Sequence, residues 1–175
     1  GFPTEVDRQQ LEDAVAEIVA HNSALIPKQH DLGIIIFVSA GQNLTYLGDA
    51  GRDVASQGTV CVHSFPLPFE LWAEKQSTGQ QLASVSIQPL PNDSVPPQAK
   101  HRNRLHWLRA DKEARVRFPT ASSLLATPDG YITETAAGNF YLVKDRTIHT
   151  PPAELVLGGI SQMVMKEIAA HLGFD

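Results

Sequence analysis

The stretch Ile132 to Val143, ITETAAGNFYLV, decides how the second half of this chain is read. Two short apolar strands flank a turn of small residues, Ala136, Ala137 and Gly138, and an acid, Glu134, interrupts the first strand. A charge on an edge strand ordinarily faces water. Turned inward, the same carboxylate needs a cationic partner, because an unpaired buried charge is too costly. Outward from this stretch, SSLLAT and YITET read as one hairpin around the turn PDG, and NFYLVKD with RTIHTPP reads as another.

Bulk properties narrow the classes. A chain of 175 residues, 42% of them hydrophobic, can build a real core as one good-sized domain or two small ones. Its formal net charge of -5 is spread along the chain. The only basic concentration lies around Lys100 to Arg117, so neither nucleic acid nor a membrane is the expected partner. No apolar run approaches the roughly 20 residues that span a bilayer. The single cysteine, Cys61 in TVCV, reads as a buried structural thiol; it allows no disulfide framework and favours a cytoplasmic setting. The seven histidines show neither HxxxH nor paired-carboxylate spacing, so no metal site is expected. Serine hydrolysis has no G-x-S-x-G elbow to support it. The first residues show neither the basic and apolar regions of a signal peptide nor an initiator Met, and the sequence reads as a piece of a longer protein.

Along the chain, Leu11, Ala14, Val15, Ile18 and Val19 form a helical stripe, with Thr4 and Asp7 as a capping box that starts the helix near Val6. GIIIFVSAG and TVCVHSF read as buried strands, and the polar segment Ala73 to Leu82 as a linker. A strand ASVSIQP follows, then PNDSVPPQ, a stiff extended approach to Lys100. NRLHWLRADKEARVR reads as a partly exposed helix presenting Leu105, Leu108 and Lys112. After LGGIS, a last helix closes on Gly173. The fold class is therefore α+β (mixed α/β), with residues 1–74, a linker 75–82 and residues 83–175 as the expected divisions.

Three features carry chemistry. Lys100 is a solvated base on composition alone, or a Schiff-base lysine if held rigidly in a site. Glu134 is an exposed edge charge or a paired buried carboxylate. Gly158, Gly159 and Ser161 are a loop glycine pair and a serine N-cap, or a close backbone approach followed by an anion-binding helix start. Amine, carboxylate and phosphate site together are what pyridoxal 5'-phosphate requires.

Order and spacing of KHRNRL, ITETAAGNFYLV, IHTPP and LGGIS resemble the class IV aminotransferase family, the fold type IV pyridoxal-phosphate enzymes. That family includes branched-chain and D-amino-acid aminotransferases and 4-amino-4-deoxychorismate lyase. The resemblance implies a two-domain architecture, of which residues 1–74 are the remainder of the small domain and 83–175 the larger, cofactor-binding one. It implies Lys100 as the Schiff-base lysine and Glu134 as the partner of the pyridine nitrogen. Ala137, Gly138 and Asn139 form the small-residue turn and its Asn. The resemblance also implies Leu157 against the cofactor ring, the Ile160 and Ser161 amides with the Ser161 hydroxyl on its phosphate, and Gly159 among the cofactor-binding residues.

Two departures from the family pattern stand out: Gln162 replaces a frequent Arg, and AAGN replaces a turn that often carries hydroxyls. Family members also carry a preceding segment with a phosphate-binding arginine, and they continue past Asp175. KHRNRL leans towards the lyase, since the branched-chain pattern more often has Tyr where Arg104 stands. The transaminases are the larger group, and amino transfer between an amino acid, branched-chain or D-type, and a 2-oxo acid is placed first. Pyruvate elimination is the alternative, and a non-catalytic or truncated relative the rival of another class. A homodimer is what the family implies.

Overall fold

The first helix, α1 (Arg8–Asn22), begins at Arg8 rather than near Val6 because Asp7 caps it, its carboxylate accepting from the Gln10 amide at 2.9 Å. Thr4, the other half of the expected capping box, lies outside the residues that the computed structural model describes, which are 6–41, 46, 48 and 58–174. The chain divides into two compact units, residues 1–77 and 78–175.

In the first unit, β1 (Leu32–Val38) and β2 (Val60–Pro66) pair antiparallel from Leu32↔Pro66 to Val38↔Val60. Their β-branched residues suit a pleated, half-covered surface. α1 lies on this pair, and the Asn22 amide donates to the Ser64 hydroxyl at 2.8 Å. Neither strand is buried as expected: both are half-covered and Ile36 is 45% exposed, because two strands under one helix have a single sheltered face. Cys61 is likewise half-buried. A helix that sequence reading overlooked, α2 (Phe69–Thr78), takes up the start of the segment read as a linker. Its signal was present in Pro68 and Glu70 at the helix start.

In the second unit, β3 (Leu82–Ser84), β4 (Ser122–Ala126) and β5 (Ile132–Thr135) form a sheet in the order β3-β4-β5, parallel and then antiparallel. The strand expected over ASVSIQP stops at Ser84. Beyond it the Ser86 amide and hydroxyl donate to the Glu113 carboxylate at 2.7 and 2.8 Å, so the backbone is satisfied by a side chain rather than a neighbouring strand.

The parallel step needs a crossover, and α3 (Leu105–Arg117) supplies it, packed on β4. The buried stripe of α3 is Trp107, Ala110 and Ala114, not Leu105 and Leu108, which are 62% and 52% exposed. Alanines let the helix axis approach the sheet closely, and Leu125 of β4 packs against Trp107 and Ala110. Val85, Ile87 and Ala136 complete that cluster. The Asp111 carboxylate fixes the rotation of α3 by accepting from the Ser123 amide and hydroxyl at 3.0 and 2.8 Å.

β6 (Leu142–Lys144) and β7 (Thr147–His149) form the second expected hairpin. Its two-residue turn, Asp145 and Arg146, has φ of 49° and 63°, the left-handed pair of a type I′ turn. The last helix, α4 (Ile160–His171), ends in a Schellman motif: Gly173 has φ 68°, its amide donates to Ala170 at 3.2 Å, and the Phe174 amide donates to Ala169 at 2.9 Å. Arg146 reaches over from the hairpin, donating to the Leu172 and Gly173 carbonyls at 2.7 and 2.9 Å and lying 4.8 Å above the Phe174 ring. The fold is α+β. Among the described residues no helix is long and apolar enough to cross a membrane.

Candidate active site

Strand β5 presents Glu134 half-buried, with one carboxylate oxygen accepting from the Leu157 amide at 3.3 Å. Burial raises its pKa above the ordinary carboxylate value; the Leu157 amide, then the charges of Arg104 and Lys100, act in the opposite direction. The sequence stretch turns back behind it. Glu134 bridges Asn139, the Thr135 amide donates to the Gly138 carbonyl at 3.0 Å, and the Thr135 hydroxyl receives the Gly138 and Ala137 amides at 3.0 and 3.4 Å. Ala136 packs on the Trp107–Ala110–Leu125 cluster, which anchors the turn to the core.

Asn139 then crosses to the segment ahead of α4, its amide donating to the Leu157 carbonyl at 2.8 Å. Leu157 is thus held on both sides, by Glu134 at its N–H and by Asn139 at its C=O. Gly159 explains the glycine pair in part: a Cβ there would sit 2.6 Å from the Asn139 side-chain Oδ1, whereas one on Gly158 would meet only open space. Gly159→Ala is expected to push Asn139 off Leu157 and lose about 1–3 kcal/mol of stability as that pairing is left unmade. Urea unfolding measures the loss, and Gly158→Ala is the near-neutral control.

Helix α4 starts without a side-chain cap. Gly159 is its N-cap, not Ser161, which falls in the first turn and is exposed. Among the described residues the Ile160 and Ser161 amides have no partner, so two donors point from a helix start whose dipole favours an anion.

Lys100 arrives on a loop that is not extended, in contrast to expectation. Turns form at Pro91 to Val95 and at Pro96 to Ala99, with amides donating back at 2.9–3.0 Å, because Asn92, Asp93 and Ser94 are turn formers behind a proline. Asn92 and Gln98 tie this loop to the Glu154 and Ala153 carbonyls at 3.3 and 3.0 Å, in the turn that leads to LGGIS. Lys100 is exposed, and among the described residues its amine makes no hydrogen bond.

Glu134, Asn139, Leu157 and Gly159 are therefore brought into contact, Ile160 and Ser161 stand at the adjoining helix start, and Lys100 acts on Glu134 through its charge. Ala137 and Gly138 are exposed in the turn with their amides committed to Thr135.

Further residues stand around these. The Arg104 guanidinium donates to the Ala136 carbonyl and lies 5.6 Å from the Trp107 ring centre. The His101 and His106 rings are 6.3 Å apart, each with Nδ1 shielded from solvent and unpartnered; burial, then Arg104 and His101, lower the pKa of His106. Gln162, where the family often has Arg, is buried; burial raises the pKa of the Tyr141 hydroxyl, and the Gln162 side chain works against that rise. Thr150 of IHTPP donates to the Phe140 carbonyl at 3.2 Å, closing the second hairpin onto the first stretch. Among the described residues no cluster could hold a metal ion.

The sequence matches the family described as Amino-transferase class IV over residues 1–175. The branched-chain-amino-acid aminotransferase of Escherichia coli (strain K12) is 31% identical over 138 residues, 75% of this chain and 44% of that protein. The crystal structure of the E. coli branched-chain amino acid aminotransferase superposes with a TM-score of 0.76 at 24% identity, covering 99% of this chain and 55% of that one. A hypothetical aminotransferase from Mycobacterium tuberculosis, in its alpha-ketoglutarate- and PMP-bound form, gives 0.72 at 20% identity, covering 98% and 58%. This chain spans about half the length of those relatives, and the structural likeness extends over nearly all of it. It belongs to the class IV aminotransferase family.

Proposed function

We propose that the protein to which this chain belongs is a pyridoxal 5'-phosphate-dependent aminotransferase acting between a branched-chain or D-type amino acid and a 2-oxo acid. One observation carries the reading: an inward-turned acid, Glu134, is stitched through Leu157 and Asn139 to an uncapped helix start, within the field of Lys100. The names of the relatives favour the branched-chain class and amino transfer over pyruvate elimination.

The residues suit the cofactor. Glu134 has one carboxylate oxygen left for a cationic ring nitrogen, the Ile160 and Ser161 amides are open to a phosphate, and Gly158 leaves room beside them. Lys100 would hold the aldehyde, and Leu157 would lie against the ring. When bound, the cofactor supplies an electron sink for the bond broken at the amino acid's Cα. Glu134 holds a proton on the ring nitrogen by staying ionised beside it. The Lys100 amine, on a loop pinned at Asn92 and Gln98, would serve as base and acid, moving the proton between the amino acid's Cα and the cofactor carbon. A cytoplasmic homodimer is part of the same proposal, resting on the family resemblance and on a single cysteine.

The test is an absorption spectrum of the full-length protein incubated with pyridoxal phosphate. A violet-range band that borohydride abolishes, with the reduced label on Lys100, is expected. A colourless protein with no label there leaves the non-catalytic relative as the correct reading.

A further inference from the structure

Arg104 occupies a position that local chemistry argues against. It is the N-cap of α3, where Ser, Asp or Asn would satisfy the first amides; its side chain makes no capping bond and its charge opposes the helix dipole. A residue that breaks a local rule without a local gain is expected to serve the site instead. Its guanidinium crosses to the Ala136 carbonyl, the first turn residue beyond β5, while its Cζ lies 5.6 Å from the ring centre of Trp107, a member of the core cluster that also receives Ala136.

We infer that Arg104 is a positioning residue for Glu134, clamping the turn behind that acid to the start of α3. Any drift of the Ala136 turn would carry Glu134 off the Leu157 amide, because Thr135 locks the turn as one piece. Lysine could supply the charge but not a planar fork able to donate and stack at once. The groups that face Glu134 agree with this role: from the α3 side Arg104 and Lys100, and from the segment before α4 the uncharged Leu157 amide. Of the two cations Arg104 has the larger effect, and it also depresses His106. The inference deepens the proposed function, since positioning Glu134 matters there for the ring nitrogen.

The experiment follows the Glu134 carboxyl by carbon NMR in the full-length protein with labelled glutamate, assigned with Glu134→Gln. In Arg104→Gln the Glu134 midpoint moves to higher pH, His106 titrates at higher pH as well, and the Ala137 amide exchanges faster. Arg104→Lys keeps the Glu134 midpoint nearer to wild type but exchanges Ala137 faster and lowers kcat at unchanged KM. Wild-type midpoint and exchange in Arg104→Gln overturn the inference. Should that variant not fold, wild-type exchange and kcat in Arg104→Lys overturn it equally. The titration needs no cofactor, so failure to label Lys100 with borohydride sinks the proposed function and leaves this result to be judged separately.

Discussion

Lys100→Ala lowers turnover of the full-length protein by at least about a thousandfold, the scale lost when one side chain supplying acid and base steps is removed. The fold is expected to survive, because Lys100 is exposed and makes no hydrogen bond among the described residues. Cofactor would still associate through the α4 start and Glu134, but borohydride would no longer fix it to the chain. Single-turnover mixing of amino acid with the loaded variant measures the effect. Turnover within tenfold of wild type would remove Lys100 from the chemistry and pass the role to another amine.

Glu134→Gln is the second large effect, and it separates function from stability. One pKa unit of pairing between the carboxylate and the ring nitrogen is worth about 1.4 kcal/mol, or tenfold. With that pairing gone, kcat falls at least about tenfold while cofactor affinity changes less; wild-type turnover at saturating cofactor contradicts the assignment. Stability runs the other way. Because burial raises the Glu134 pKa in the fold, the folded chain binds more protons than the unfolded one between the ordinary value of 4.5 and the raised value. Glu134 therefore lowers stability as pH rises through that window, and the deficit persists at neutral pH. Glu134→Gln abolishes this dependence and unfolds at higher urea than wild type at neutral pH. The wild-type loss over the window is the control.

Part of the candidate site was legible because strand alternation makes an acid conspicuous. Glu134 stands out in ITET, and a glycine pair before a periodic segment marks a helix start. Packing was not legible in the same way. Leu105 and Leu108 outweigh Ala110 and Ala114 on any hydropathy scale, yet a helix spanning a parallel crossover is seated by its small residues. Arg104 was weighed only for its place in KHRNRL, and its misfit at the N-cap becomes visible only when the helix start is fixed at Leu105. Strand ASVSIQP failed for a related reason: Glu113, distant in sequence, takes the Ser86 amide. The turn-rich path to Lys100 was overlooked because prolines were weighed as stiffeners and the intervening Asn92, Asp93 and Ser94 were not.

Arg146 on the second hairpin gives α4 a different standing from an ordinary surface helix. Few of its side chains are buried, but it is gripped at both ends: Asn139 closes on Gly159 at one, and Arg146 holds the Leu172 and Gly173 carbonyls at the other. Sliding along its axis would break contacts on two separate stretches at once. The open amides at Ile160 and Ser161 thus belong to a beam clamped at its far end, and a change at Asp145 or Arg146 would reach that helix start as a change in axial play, with no contact to it altered.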